Sequence, residues 1–147
     1  DKHWSRGLGD VYKRQARSLA NQYAQMLGHI FTHEMKPMEV EILVAEVDFE
    51  GDNLRNQMFH ILYDGTVKDE SSFAVLGGES EEIFARFESL HKDNMPLKKA
   101  LNACIDALTA GERDIEPDDL EVAELSIQNG RRAFRRIVTS EIQGLIN

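Results

Sequence analysis

A chain of 147 residues is one domain by length, and a domain of that size buries roughly 70% of the surface its unfolded chain exposes. Its 26 acidic against 17 basic residues give a net charge of −9, which disfavours nucleic acid, anionic membrane and strongly acidic substrates as general partners. The lone Cys104 excludes an internal disulfide and a multi-cysteine metal site, no apolar run approaches the ~20 residues of a membrane helix, and no secretory segment is read, so a cytoplasmic location is expected.

Residues 1–15, DKHWSRGLGDVYKRQ, hold no sustained period and are expected to be a non-native or disordered lead, with the domain set at 16–147. Leu19, Tyr23, Leu27, Ile30 and Phe31 then recur at helical spacing, flanked by the small residues Ala20, Ala24 and Gly28. A helix over about 17–35 is predicted, stopped by Pro37. Val40, Ile42 and Val44 alternate with Leu43, Ala45, Val47 and Phe49, which predicts a strand over about 39–49 buried on both faces. The cluster Glu50 to Asn53 signals a turn, Met58 to Tyr63 a second strand, and Asp64-Gly65 a two-residue hairpin into a third strand that runs from Thr66 to the apolar Phe73–Leu76. Gly77-Gly78 ends that strand, and Ser80 with Glu81 and Glu82 opens a helix whose stripe is Ile83, Phe84, Phe87, Leu90 and His91. Asn94 to Pro96 opens another, with Leu97, Ala100, Leu101, Cys104, Ile105 and Leu108 inward and Gly111 closing it. After an acidic loop over 112–119, Leu120, Val122 and Leu125 to Ile127 predict a fourth strand, Asn129-Gly130 a turn, and Phe134, Ile137, Val138, Ile142 and Leu145 a last helix. The predicted order is αβββααβα, without internal repeat.

Few constellations in this chain suit chemistry. His29 and His33 stand four apart on one helix, a spacing that can bring two imidazoles to one metal ion, yet the order is not H-E-x-x-H and no third ligand is near, so solvated histidines are expected. Asp114, Glu116, Asp118 and Asp119 cluster hard oxygen ligands without the glycine and distal glutamate of a calcium loop. Cys104 falls in an apolar stripe and reads as core. Gly77-Gly78 matches no phosphate-binding fingerprint and reads as a tight turn. No cofactor, metal or catalytic residue is assigned. The dense basic cluster GRRAFRRI places Arg131, Arg132, Arg135 and Arg136 at the start of the predicted last helix. Nucleic acid is one reading of it, but with a net charge of −9 an inter-subunit or intramolecular ion-pair role is preferred.

Three stretches, RSLANQYAQMLGHIFT with KPMEVEILVAEV, the hairpin LYDGTVKDE, and RRAFRRI, resemble the C-terminal portion of the proteasome core-particle α-type subunit of the actinobacterial kind. The resemblance runs from about Ala16 to Leu145. It implies an α/β (α+β) chain that is part of a four-layer α/β/β/α sandwich of the amino-terminal-nucleophile hydrolase type, lacking that fold's N-terminal strands, gate segment and first helix. The implied function is a non-catalytic subunit of the heptameric outer ring. Its implied partners are other α subunits, β subunits and, in the full-length protein, an activating ATPase ring, while Arg131, Arg132, Arg135 and Arg136 are expected as subunit contacts on the charge reading above. The residues themselves agree on catalysis, because Thr32, Thr66, Thr109 and Thr139 are all internal and no free amine neighbours them as a base. Two alternatives stay open: a β-type amino-terminal-nucleophile hydrolase, and a small interaction or nucleic-acid module acting through the arginines.

Overall fold

The computed structural model describes residues 3–50, 53–112, 114–129 and 133–146, with the backbone alone for 3–15 and Glu50. The chain divides into two compact units, Asp1–Phe73 and Ala74–Asn147, each with its own core.

In the first unit a 31-residue helix, α1 (His3–His33), packs on a three-stranded antiparallel sheet of β1 (Ile42–Glu50), β2 (Asn53–Ile61) and β3 (Val67–Glu70), in the order β1-β2-β3. The helix begins well before Arg17, so its backbone crosses the expected boundary at residue 16 without a break. Register pairs Ile42 with Ile61 and Val44 with Phe59, which puts these four on one face of the sheet. Ala16, Ala20 and Leu27 cover Val44, Phe59 and Ile61, with Tyr23, Ala24 and Ile42 packed at the margin. The stripe that meets the sheet is therefore the small-residue one, while Leu19 and Phe31 face outward. Alanines let the helix backbone approach the strands closely, so the contact is made by strand side chains filling the gap. The two-sided burial expected of β1 is not found: Leu43 and Phe49, on the opposite face, stay 43% and 48% exposed.

The Asp64-Gly65 turn forms, one residue longer than expected. Leu62 N–H donates to the Thr66 carbonyl (2.9 Å) and Gly65 N–H to the Leu62 carbonyl (3.0 Å), leaving Tyr63, Asp64 and Gly65 as the loop, with Gly65 at φ +89°. Pairing ends at Glu70, so Phe73–Leu76 belongs to no strand. In the first hairpin, β1 and β2 meet through Glu50 and Asn53, and the expected turn residues Gly51 and Asp52 lie outside the described residues.

The second unit holds α2 (Ser80–Leu90), α3 (Leu97–Leu108), the antiparallel pair β4 (Val122–Leu125) and β5 (Phe134–Ile137), and α4 (Thr139–Leu145). Leu101 and Ile105 of α3 meet Ile137 of β5 and Ile142 of α4, with Leu97, Leu120, Val122, Leu145 and Ile146 around them. Here the predicted order is corrected. The segment Phe134–Ile137 is a strand, and the final helix starts only at Thr139, giving αβββααββα. Arginine-rich sequence at a helix start would oppose the macrodipole, whereas a strand sends alternate side chains to opposite faces. The turn at Asn129-Gly130 is described only through Asn129, which closes a short 3-10 turn by donating its N–H to the Ser126 carbonyl (3.1 Å).

Candidate functional site

The strand register decides what the arginine cluster can do. Glu124 lies opposite Arg135, and Ala123 opposite Arg136. Arg135 shares a face with the buried Ile137 and meets two carboxylates. Its Nε and Nη2 donate to Glu124 Oε2 (3.2 and 3.0 Å), and its Nη1 donates to both oxygens of Glu141 (3.0 and 2.8 Å). Asn129 Nδ2 donates to the same Glu124 oxygen (3.4 Å) and to the Ala133 carbonyl (3.1 Å). The hydrogen bonds to Glu141, then those to Glu124, raise the guanidinium pKa further. Arg135 is thus an intramolecular tie from β4 to α4. Arg136 points to the other face, where its Nη2 pairs with Glu121 Oε1 at 2.8 Å between two exposed side chains. Phe134 and Val138 flank it at the same parity, also exposed. Arg131 and Arg132 lie outside the described residues.

Other sequence candidates resolve into structural roles. The acidic loop is a 3-10 turn, Pro117–Asp119, closed by a reciprocal cap in which Glu116 N–H donates to Asp119 Oδ2 at 3.1 Å. Cys104 is exposed rather than core, and desolvation of its sulfur pushes the thiol pKa up, which disfavours the nucleophilic thiolate. Gly77 adopts φ +121°, so the glycine pair does serve backbone conformation. Beside α3 lies an open depression of about 600 Å³ whose lining includes Lys92, Lys98, Lys99, Asp93 and Asp106, a mixed-charge surface. Among the described residues no group of three or more His, Cys, Asp or Glu is placed to hold a metal ion.

One cluster escaped the sequence reading. His60 of β2 is only 7% exposed, with Nε2 2.7 Å from Glu41 Oε2 and Nδ1 3.7 Å from Glu70 Oε1. It links the approach to β1 with β3 across the strand between them. A lone histidine within an alternating strand gives no sequence signal for this; only register reveals the carboxylates.

Comparison with known proteins follows the same distribution of residues. The chain is similar to proteasome subunit alpha of Acidimicrobium ferrooxidans, 49% identical over 138 residues, which span 92% of this chain and 59% of that protein. It is similar to proteasome subunit alpha of a Parafrankia species at 43% identity, spanning 94% of this chain and 61% of that protein. Against proteasome subunit alpha of Mycobacterium tuberculosis (strain F11) identity is 42%, with 94% and 60% covered. The chain thus spans about three-fifths of the length of these relatives. The sequence model of the proteasome subunit family matches residues 11–125, which include α1 from residue 11 onward, all of the three-stranded sheet, α2, α3 and β4, and the chain belongs to that family.

Proposed function

We propose that the protein to which this chain belongs is a non-catalytic α-type subunit of the proteasome core particle. The observation that carries the reading is 49% identity across 92% of the chain to a protein named proteasome subunit alpha. Family membership brings an amino-terminal-nucleophile-hydrolase-like α+β fold, and the finer reading is a portion of a four-layer α/β/β/α sandwich. In this reading seven copies form an outer ring that supports assembly of β subunits and restricts access of substrate proteins in the cytoplasm. An activating ATPase ring docks on it. Mechanism is geometric: ring contacts and a narrow opening replace a chemical step.

Arg136 is the described member of the arginine cluster that suits subunit contact. Its guanidinium is exposed, its partner Glu121 is exposed too, and exchange of one surface carboxylate for another is nearly isoenergetic. Exposed Phe134 beside Arg136 matches the aromatic and arginine enrichment of protein interfaces. Arg131 and Arg132 belong to the same proposal through the sequence alone.

Co-expression of the full-length protein with a proteasome β subunit from the same organism tests the reading. Ring-stacked particles in negative-stain micrographs, with peptidase activity that disappears on mutating the β-subunit threonine alone, are expected. A full-length protein that stays monomeric beside the β subunit, or that cleaves peptides by itself, overturns it.

A further inference from the structure

His29 and His33 occupy successive turns near the end of α1, both exposed, with their rings stacked at a centroid distance of 4.2 Å and planes inclined by 21°. Residues four apart on a helix share a face, and the same spacing places the two histidines of helical zinc sites. The pairing of His33 goes beyond spacing. Its Nδ1 lies 3.1 Å from the His29 carbonyl oxygen and 2.7 Å from Thr32 Oγ1. A carbonyl only accepts, so the bond to His29 forms in the tautomer that carries its proton on Nδ1. The Thr32 hydroxyl directs its own proton to the carbonyls of Gly28 (3.0 Å) or His29 (3.2 Å) and keeps a lone pair for Nδ1–H. In that tautomer Nε2 keeps its lone pair. Donation from the second ring nitrogen to a carbonyl is also how metal-bound histidines are oriented and made more basic.

We propose that His29 and His33 form a two-imidazole site for an exchangeable borderline divalent cation such as Zn²⁺ or Cu²⁺, with water in the remaining positions. Nitrogen donors favour these ions over Mg²⁺ or Ca²⁺, which take oxygen ligands. With two protein ligands the ion exchanges readily and is no requirement for folding, in keeping with the lack of any described three-residue cluster. Both rings are adjacent and exposed, and chelation tilts the stacked planes until the two nitrogen lone pairs converge on the ion.

Calorimetric titration of the 147-residue chain with ZnCl₂ and CuCl₂ tests the site, in a His3→Ala background so that Asp1-Lys2-His3 does not compete for copper. One ion per chain is expected, bound more tightly for Cu²⁺ than for Zn²⁺. Either His29→Ala or His33→Ala weakens it by at least about tenfold, as loss of one of two ligands requires. Electron paramagnetic resonance of the copper adduct should show two nitrogen donors, and His91→Ala should leave both readouts unchanged. Absence of binding, or binding undiminished in the His29→Ala/His33→Ala double variant, overturns the proposal. Both side chains are exposed, so circular dichroism of the metal-free variants should match the parent.

Discussion

At the residue scale, glycines separate backbone conformation from close approach. A Cβ on Gly65 would stand 2.6 Å from the Ala24 carbonyl oxygen and 2.9 Å from Gly28 Cα, at a φ of +89° that L residues avoid. The hairpin tip therefore rests on α1 at a spot where position 65 has no room for a Cβ, whereas one on Gly28 would meet ordinary contact at 3.5 Å from the Asp64 carbonyl oxygen. Gly77 has φ +121° but nothing within 4 Å of its Cβ position, and Gly78 has open space without a positive φ. Alanine should cost about 2 kcal/mol or more at Gly65, about 1–2 at Gly77 and under about 0.5 at Gly78, read as urea midpoints. Equal losses at Gly65 and Gly77 would show that the helix contact adds nothing. A second buried residue makes a similar test possible in the other unit. Asn102 Nδ2 donates to the Lys98 and Leu145 carbonyls, both at 2.8 Å, and so ties α3 to the end of α4. Asn102→Ala leaves the Leu145 carbonyl without that donor and should cost about 1–3 kcal/mol. Asp64-Gly65 was legible as a turn in the sequence, since the pair has few other uses. Asn102 was not, because a polar residue between helical apolar positions reads as exposed until a distant carbonyl is seen to receive it.

At the element scale, two carboxylates on the first hairpins titrate in opposite senses. Thr66 N–H donates to Asp64 Oδ1 at 2.9 Å, and this bond holds the Asp64 pKa below its usual range. A depressed folded pKa means stability fully present above the unfolded value and lost as pH falls through the folded one. Glu46 on β1 is pushed upward, first by desolvation and then by the like charge of Asp48, with Arg55 opposing. Its raised folded pKa means that ionisation disfavours the fold, so stability falls as pH rises from the unfolded value through the folded one. Glu46→Gln should therefore stabilise the chain at neutral pH and lose that advantage in acid, whereas Asp64→Asn should weaken it at neutral pH and flatten its acid limb. Urea midpoints measured from pH 3 to pH 8 decide this, and a Glu46→Gln advantage independent of pH would refute the electrostatic account. Among elements, α1, β1, β2, α2 and α3 were legible from periodicity. The segment Phe134–Ile137 was misread because Phe134, Ile137 and Val138 satisfy a helical period, and four residues are too few to arbitrate. What decides it is nonlocal: Glu124 opposite Arg135 and Val122 opposite Ile137 supply partners that no local pattern contains. The third strand was overextended for the converse reason. Phe73–Leu76 is apolar enough for a strand, but pairing with β2 ends at Glu70.

At the scale of the whole molecule, the one-sided sheet of the first unit carries a consequence for association. Leu43, Phe49 and Leu54 lie on the face opposite α1, with Phe49 directly across from Leu54, and all three are exposed. The sequence patterning of β1, apolar on both faces, asks for a second cover there, and α1 supplies only one. An apolar sheet face in water favours association with another apolar surface, and β1 is also one of the two edge strands of the sheet. The 147-residue chain expressed alone should therefore self-associate, with an apparent mass by light scattering that rises with concentration. Replacing Phe49 and Leu54 by threonine keeps β propensity while lowering the apolar area, and should shift the chain toward monomer without changing its far-ultraviolet dichroism. The matching change on the covered face, Phe59→Thr, should instead unfold the first unit, because Phe59 is buried against Ala16, Ala20 and Leu27 and lies under the Arg17 guanidinium at 5.1 Å. In the full-length protein the Phe49→Thr/Leu54→Thr variant tests whether the apolar face is covered. If that face serves assembly or internal packing, the double variant should lower the yield of ring particles while leaving the isolated chain better behaved. A parent chain that is monodisperse at all concentrations, with ring yield untouched by the substitutions, would show that the face needs no cover.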